Sequence, residues 1–556
     1  MAAGRHAVRR TAAMLVAAVL TGGALAGTAH AGTLSAPKPL PTKIAALQDQ
    51  WGDATVDHVA LDSHGVNQPQ LDPGSLLTVG NAIGARNVWG QHDAKGKAVT
   101  GQGVTVAVLD SGVEAVAGLN APGQLVQGPD LSLEANSTLD RGHDTFGHGT
   151  HLAGIIAARD DRTTDSSGKP TGLTNYQQMG IAPGAQVLAV KAATADGSTD
   201  VSEVIAGLDW IVAHRNDNGM DVRVVNLSFG TDSTQSYLLD PLTAAVENAW
   251  RHGIVVVVSA GNEGNATTSL TDPAMDPYVI AVGASDPHLQ VNGWQSPVVA
   301  SFSNSGNATR IPDLVAPGRS IVGLRDPGSY VDTEHPEGLV TGDATGRLFR
   351  GSGTSQAAAV VSGAVTLLAQ AFPNATPDQL KAALKNTAKQ LYGAAATLQG
   401  SGELNVNDAY NYLKSLFPAN PTTTQLAKLA SFKQNFATAT GLGSLEAARG
   451  GSHLVDPTTG APLYGEVDVQ GMPWNAAAWQ TAEKAGTMWS SGSWLGVQYT
   501  GSGWTSAAAW TSVPWSAARW SGAQWTDADW TAHRWSAHRW SSALWTSAVW
   551  SAHLWY

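Results

Sequence analysis

The chain has no cysteine among its 556 residues. No disulfide can staple it, so its stability rests on its core and on any ions it binds. Charge is sparse too, with charged residues at 14% and a formal net charge of −12. No basic patch stands out. Phosphate backbones need clustered Lys and Arg, so nucleic acid is excluded as a partner. Beyond the N-terminus, no run is long and apolar enough to span a bilayer. Aromatic residues make up only 7%, but they are unevenly placed. Of 20 Trp, 15 lie after Gly471.

The length exceeds what one core usually holds, and 43% hydrophobic residues suit a large globular domain with appended segments. Residues 1–31 have the layout of an export signal. Arg5, Arg9 and Arg10 form a charged start, Thr11 to Leu25 an apolar stretch, and Ala29-His30-Ala31 a small-x-small cleavage site. A membrane anchor fits less well, because the apolar run is short and Gly-interrupted. Arg9-Arg10 invites a twin-arginine reading, which ranks second because Thr11-Ala12-Ala13 lacks bulky apolar residues. A secreted protein is expected. Residues 32–77 are Pro-rich and polar and read as a short extension or prosegment.

From residue 78 the pattern changes. Continuous β-branched runs at 104–109, 187–190, 222–227, 254–258 and 279–282 predict strands buried on both faces. Between them, Val201, Val204, Ile205, Leu208, Ile211 and Val212 keep the spacing of one helix face, and residues 242–252 form a second candidate closed by Gly253. The alternation predicts an α/β fold, a parallel sheet with helices on both faces. The apolar stretch 355–372 predicts a buried helix ended by Pro373. Thr376-Pro377-Asp378-Gln379 predicts a capping box with Pro in the first turn. The domain is expected to span residues 78–417, followed by a linker at 418–425 and a C-terminal region at 426–556.

Three blocks carry the chemistry. Val106 to Gly112 presents Asp110, His148 to Gly154 opens on His148, and Gly351 to Ala357 presents Ser355. A Ser hydroxyl needs a base to take its proton, His titrates in the right range, and a buried Asp fixes the His tautomer. The order Asp, His, Ser is one of three that unrelated folds use for acyl transfer. An oxyanion needs at least two donors. Ser355 at a helix start offers its own N–H, and the block Val257 to Gly264 offers the side-chain amide of Asn262.

Together these blocks resemble those of the subtilases, the subtilisin-like serine proteases, from about residue 83 to residue 407. Val225-Asn226-Leu227-Ser228-Phe229-Gly230 resembles the family's substrate-binding strand. Ala300 to Asn304 and Asp313 to Gly318 resemble its late core loops. The resemblance implies a subtilisin-like fold and hydrolysis of peptide bonds in protein or peptide substrates. It implies Asp110 as the triad acid, His148 as the general base, Ser355 as the nucleophile and Asn262 as the oxyanion donor. Ser228, Phe229 and Gly230 would pair with the substrate backbone, with Asp196-Gly197-Ser198 as the opposite edge. Ala260, Gly261 and Asn262 would form a wall of the primary specificity pocket. Family resemblance also suggests large apolar residues before the cut.

Blander readings exist for each block. Asp110 alone is a turn former. His148 and His151, at i and i+3, have metal-ligand spacing, but no third ligand lies near them in sequence, and the family's second His is structural. His143 and Asp144 lie between Gly142 and Gly147, which reads as a loop. Ser355 alone fits helix packing. The α/β-hydrolase nucleophile elbow nearly matches Gly353-Thr354-Ser355-Gln356-Ala357, yet that fold places Asp and His after Ser, and every later His lies beyond the linker.

Gln356 and Ala359 stand where subtilases usually carry Met and Pro, and residues 32–77 are shorter than the family's folding prosegment. Gln356 and the short prosegment leave room for a rival function, a non-catalytic scaffold whose Trp tail binds envelope polymer. No cofactor is required for the chemistry. Calcium is frequent in the family, but Asp160, Asp161 and Asp165 show no ligand spacing and read as a solvated acidic loop.

In the tail, Trp510 to Trp555 recur every fifth residue, with Ser or Thr after each of the first nine. A period of five fits neither one helix face nor one strand face. A short-coil solenoid and a low-complexity tail remain the two readings. Together with Ser444 to Gly450, the tail resembles those of some actinobacterial subtilases. Exposed Trp suits stacking on sugars and contact with a cell envelope, so deletion after Phe417 is expected to spare cleavage and to change surface retention.

Overall fold

The computed structural model describes residues 72–137, 139–159, 179–287, 297–340, 342–343, 345–451, 453–454 and 462–485, and the backbone of 493–494 and 497–498. The chain divides into residues 1–56 and residues 57–556, and everything described belongs to the second. The export signal, nearly all of residues 32–77, the acidic loop with Asp160, Asp161 and Asp165, and the repeats of Trp510 to Trp555 lie outside the described residues.

The β-branched runs become strands. β1 (Thr105–Asp110), β2 (Leu125–Asp130), β3 (Gln186–Lys191), β4 (Val222–Leu227), β5 (Val255–Ser259), β6 (Ile280–Asp286), β7 (Val298–Val299) and β8 (Leu314–Pro317) form an eight-stranded sheet. Its order is β2-β3-β1-β4-β5-β6-β7, with β8 also paired to β6. Every pairing is parallel except β6 with β7. β1, β5 and β6 are buried along their whole length, as two covered faces require. A second ribbon pairs β9 (Ile321–Leu324) antiparallel to β10 (Leu348–Gly351).

Helices cover the sheet. α1 (Leu76–Ala82) starts on the side-chain cap of Ser75, just before the expected domain edge at residue 78. α2 (His148–Ala157) packs against both β9 and α5 (Thr354–Ala371). α3 (Val201–His214) carries a full capping box from Asp200 and Glu203, and packs on α4 (Pro241–Arg251). α5 is the helix expected over 355–372; all but its last residue are buried, and it lies against β4, β5, β6 and β8. α6 (Pro377–Thr387) has the anticipated capping box at Thr376. α7 (Val406–Leu416) packs on α6.

The chain does not leave the domain after α7. Part of the expected linker is the first turn of helix Thr423–Ala430. The described residues between 434 and 484 then run back over α3 and α4. Tyr278 Oη donates to the Phe436 carbonyl at 2.7 Å, and the Ala439 N–H donates to Glu247 at 2.8 Å. Arg449 reaches Asp200 at 2.6 Å, and Trp479 Nε1 donates to Asp209 at 2.9 Å. Leu445, Leu454, Leu463, Val469 and Trp479 join the same core as the sheet. Cutting at Phe417 would bare these contacts, so the expectation that such a deletion spares cleavage does not fit this packing. A polar, Pro-rich stretch shows where the chain surfaces, not whether it returns.

Candidate active site

Asp110 is the last residue of β1, at the carboxyl edge of the sheet where open parallel sheets carry their sites. Its Oδ1 lies 2.8 Å from His148 Nδ1, and both side chains are fully shielded from solvent. A carboxylate accepts, so Nδ1 carries the ring proton and Nε2 is left as the basic nitrogen. The same Oδ1 accepts from the Ser111 N–H at 2.8 Å.

Close approach puts His148 there. Gly149 sits so near the strand end that a Cβ would stand 2.0 Å from the Gly112 carbonyl oxygen. Gly147 has φ +101°, which turns the chain into α2 where an L side chain would be strained.

A layer of groups not anticipated as functional steadies this pair. Asp144 is buried and accepts from the Gly147 N–H, the Thr150 N–H and Ser111 Oγ, each at 2.7 Å. Burial pushes its carboxyl up, against those hydrogen bonds. Lys191, at the end of β3, donates to the Ser111 carbonyl at 2.9 Å and pairs with Glu134 at 2.8 Å. Burial works against the Lys191 charge, but Glu134 and Asp130 outweigh it and hold the ammonium above its ordinary value. Burial lifts Glu134 to about 7, with Lys191 acting the other way. In sequence, Asp144 looks like a loop acid, and Lys191 merely ends an apolar run.

Ser355 is the second residue of α5, fully buried, and its Oγ makes no hydrogen bond among the described residues. Asn262 lies just past β5. Its Oδ1 accepts from the Thr354 N–H at 2.7 Å and from Thr354 Oγ1 at 2.9 Å. Those two donors fix which end of the amide faces Thr354. The Nδ2 end lies 3.5 Å from where a Cβ on Gly353 would stand, beside the start of α5. Ser228 Oγ lies 3.4 Å from the Ser355 carbonyl oxygen. Asn226 Nδ2 donates to Ser228 Oγ at 3.2 Å, and Ser362 Oγ to Asn226 Oδ1 at 2.9 Å. The end of β4 and the residue after it are thus tied to α5 at two points.

The remaining expected site residues follow. Ser228, Phe229 and Ala260 are fully buried, and Gly230 is half-buried. Gly261 has φ +111°, and a Cβ there would stand 2.4 Å from Asn304 Nδ2, so this position is closed to a side chain. His151 Nε2 faces the Phe349 carbonyl at 3.2 Å. Burial, then the neighbouring His148, pushes it down to about 3, so it is neutral at any working pH. Among the described residues no group of three or more His, Asp or Glu side chains is placed to hold a metal ion. Gln356 is fully buried with neither end of its amide hydrogen-bonded among the described residues.

This arrangement can run acyl transfer. A shielded carboxylate orients an imidazole, a helix start presents a hydroxyl, and an anchored amide stands beside that start. The model of the subtilase family matches residues 101–405. Serine protease AprX of Bacillus subtilis (strain 168) is 33% identical over 320 residues, covering 56% of this chain and 67% of that protein. Subtilisin BL of Lederbergia lenta is 32% identical over 320 residues, covering 57% of this chain and 94% of its own. Among solved structures, fervidolysin from Fervidobacterium pennivorans, described as a keratinolytic enzyme related to subtilisin, is similar at 27% identity and a TM-score of 0.46. That match covers 64% of this chain and 49% of fervidolysin. With more than half its length under the family model and its sheet, helices and shielded Asp–His pair in place, the chain belongs to the subtilase family and is a serine endopeptidase.

Proposed function

We propose that the protein is an exported endopeptidase that cleaves protein and peptide substrates through an acyl-enzyme. Ser355 is the nucleophile, His148 the general base, Asp110 the orienting acid and Asn262 the oxyanion donor. His148 Nε2 takes the Ser355 hydroxyl proton as Oγ adds to the scissile carbonyl. Negative charge then builds on the carbonyl oxygen, where Asn262 Nδ2 and the Ser355 N–H receive it. The C–N bond breaks as His148 returns the proton to the leaving amine. A water, deprotonated by His148, then hydrolyses the ester and restores Ser355. Ser228, Phe229 and Gly230 pair with the substrate backbone, and Ala260 and Gly261 wall the pocket for the residue before the cut.

The observation that carries this reading is the 2.8 Å contact between Asp110 and His148, both fully shielded from solvent. In this reading residues 1–31 direct export, residues 32–77 are an N-terminal extension, residues 78–417 hold the chemistry, and the Trp-rich end of residues 426–556 contacts the cell envelope. The export proposal rests on the charged, apolar and small-residue order of residues 1–31.

Labelling with a fluorophosphonate tests the roles. Wild type takes label at Ser355, Ser355→Ala takes none, and His148→Ala takes it slowly. Fully processed wild type that takes no label overturns the proposal and leaves the scaffold reading.

A further inference from the structure

Several polar groups converge at the start of α5. Gly353, just before the helix, is held by its N–H, which donates to the Gly318 carbonyl at 2.8 Å. A Cβ on Gly353 would stand 2.7 Å from Gln356 Oε1, 3.5 Å from Asn262 Nδ2 and 3.6 Å from the Ser355 nitrogen. A side chain at Gly353 would fill that point. As it stands, the point is ringed by the two expected oxyanion donors and by the amide of Gln356.

Gln356 is the odd member. It is fully buried, yet neither Oε1 nor Nε2 has a hydrogen-bond partner among the described residues. Thr354, two residues before it, is spent on Asn262, whose Oδ1 it holds through its N–H at 2.7 Å and its hydroxyl at 2.9 Å. Burying an amide without a partner is costly, and Met, which subtilases usually carry here, fills such a place with no polar group to desolvate. A native fold keeps an unpaired polar group where something that arrives completes it. No bond fixes which end of this amide faces the point. A turn about its last torsion puts Nε2 where Oε1 stands.

We propose that Gln356 is a further catalytic residue, a third donor whose Nε2 turns to the carbonyl oxygen of the scissile bond as negative charge builds there. The proposal rests on the catalytic roles given above, since the point matters only if Asn262 Nδ2 and the Ser355 N–H receive that oxygen. Oε1 faces the point in this structure, and its partial charge would repel an oxyanion, so the arriving charge favours the turned amide. Nε2 donates a hydrogen bond and keeps its proton, so no bond-making step is added. The contact is strong only while the oxygen carries charge. Its worth therefore falls on kcat and not on KM. The same oxyanion forms when Ser355 adds to the substrate and when water adds to the acyl-enzyme, so Gln356 serves both halves of the cycle.

The test compares processed wild type with Gln356→Met and Gln356→Leu on a peptide anilide and on an ester of the same peptide. Gln356→Met should lower kcat on both substrates by about ten- to a hundredfold, the worth of one hydrogen bond to a charged group, with KM little changed. Gln356→Leu, apolar but of another shape, should fall by a similar factor, so that the loss does not reflect the fit of one side chain. Urea unfolding in a Ser355→Ala background should show both variants at least as stable as their parent, because no unpaired amide is then buried. A Gln356 that served the fold alone would give the opposite pattern, stability lost and kcat kept. Unchanged or raised kcat in Gln356→Met, or a fall on the anilide alone, overturns the third donor. A wild type that takes no fluorophosphonate label overturns the catalytic roles, and the donor with them. A labelled wild type confines the result to Gln356.

Discussion

Replacing Arg449 with Met should strongly destabilise the peptidase unit, although Arg449 lies far along the chain from Asp110, His148 and Ser355. The guanidinium is fully buried. It bonds to Asp200 through Nε at 2.6 Å and Nη2 at 3.3 Å, to Glu446 at 3.2 Å, to the Gly465 carbonyl at 2.8 Å and to the Val467 carbonyl. Asp200 is 1% exposed and also caps α3, accepting from the Ser202 N–H at 2.9 Å. Met fills much of the same volume but leaves Asp200 buried without its cation. Removing one partner of a buried pair costs about 3–5 kcal/mol, against a total stability of about 5–15 kcal/mol.

The assay is urea unfolding at pH 7, followed by Trp fluorescence in a Ser355→Ala background so that self-digestion does not intervene. The double variant Arg449→Met with Asp200→Asn should be less damaged than the sum of the single changes, with a coupling of about 1–3 kcal/mol. pH gives a further check. Burial works against the Asp200 charge, but Arg449 outweighs it and holds the carboxyl below its ordinary 3.8. A depressed folded value stabilises above the unfolded value and is lost as pH falls through the folded one. The gap between parent and Arg449→Met should therefore be full at pH 7 and narrow below about 3.8. An Arg449→Met protein within about 0.5 kcal/mol of its parent at pH 7 would refute the reasoning, because that is the range of an ordinary surface change.

Asn262→Leu should lower kcat by about a hundredfold to a thousandfold with little change in KM, read with a short chromogenic peptide; that size is the one known for a subtilisin rather than one worked from this geometry. A raised KM at unchanged kcat would reassign Asn262 to ground-state binding. Glu403→Gln should change the pH dependence of stability. The residue is half-buried but its carboxyl head is out of solvent, and burial pushes it up to about 8 despite a 2.9 Å hydrogen bond from Ser285. A raised folded value stabilises below the unfolded 4.5 and loses that advantage as pH rises towards 8. Gln cannot ionise, so the variant should gain on wild type across that window by on the order of a few kcal/mol at most, and parallel stability curves would contradict this.

The centre of the sheet was legible because burial on both faces leaves a simple mark. Uninterrupted β-branched runs gave β1, β3, β4, β5 and β6 within a few residues. β2 was not legible, since Gly128 and Pro129 break its pattern and its first half is only partly buried. β8 lies where the residues 313–318 resemble a late core loop; four residues are too few to show a period. The site divides in the same way. Asp110, His148, Asn262 and Ser355 stand in blocks of small residues that allow close approach, and such blocks are visible in sequence. Asp144, Lys191 and Arg449 each take a partner 30 or more residues away, and single charged residues carry no mark of where they will be buried.

That division bears on how the base is held. Asp110 meets His148 through one oxygen and shares that oxygen with Ser111. Ser111 is in turn fixed by Asp144 through its hydroxyl and by Lys191 through its carbonyl, and Lys191 is spent on Glu134. Asp144 also takes the N–H groups of Gly147 and Thr150, on either side of His148. One buried acid therefore constrains both the loop that carries Asp110 and the turn that carries His148. In the proposed mechanism positive charge builds on His148, and the buried cation of this network is paired with Glu134, so it does not oppose that charge in full. The acid–base pair is set by motif residues, but its distance is kept by residues that no motif contains.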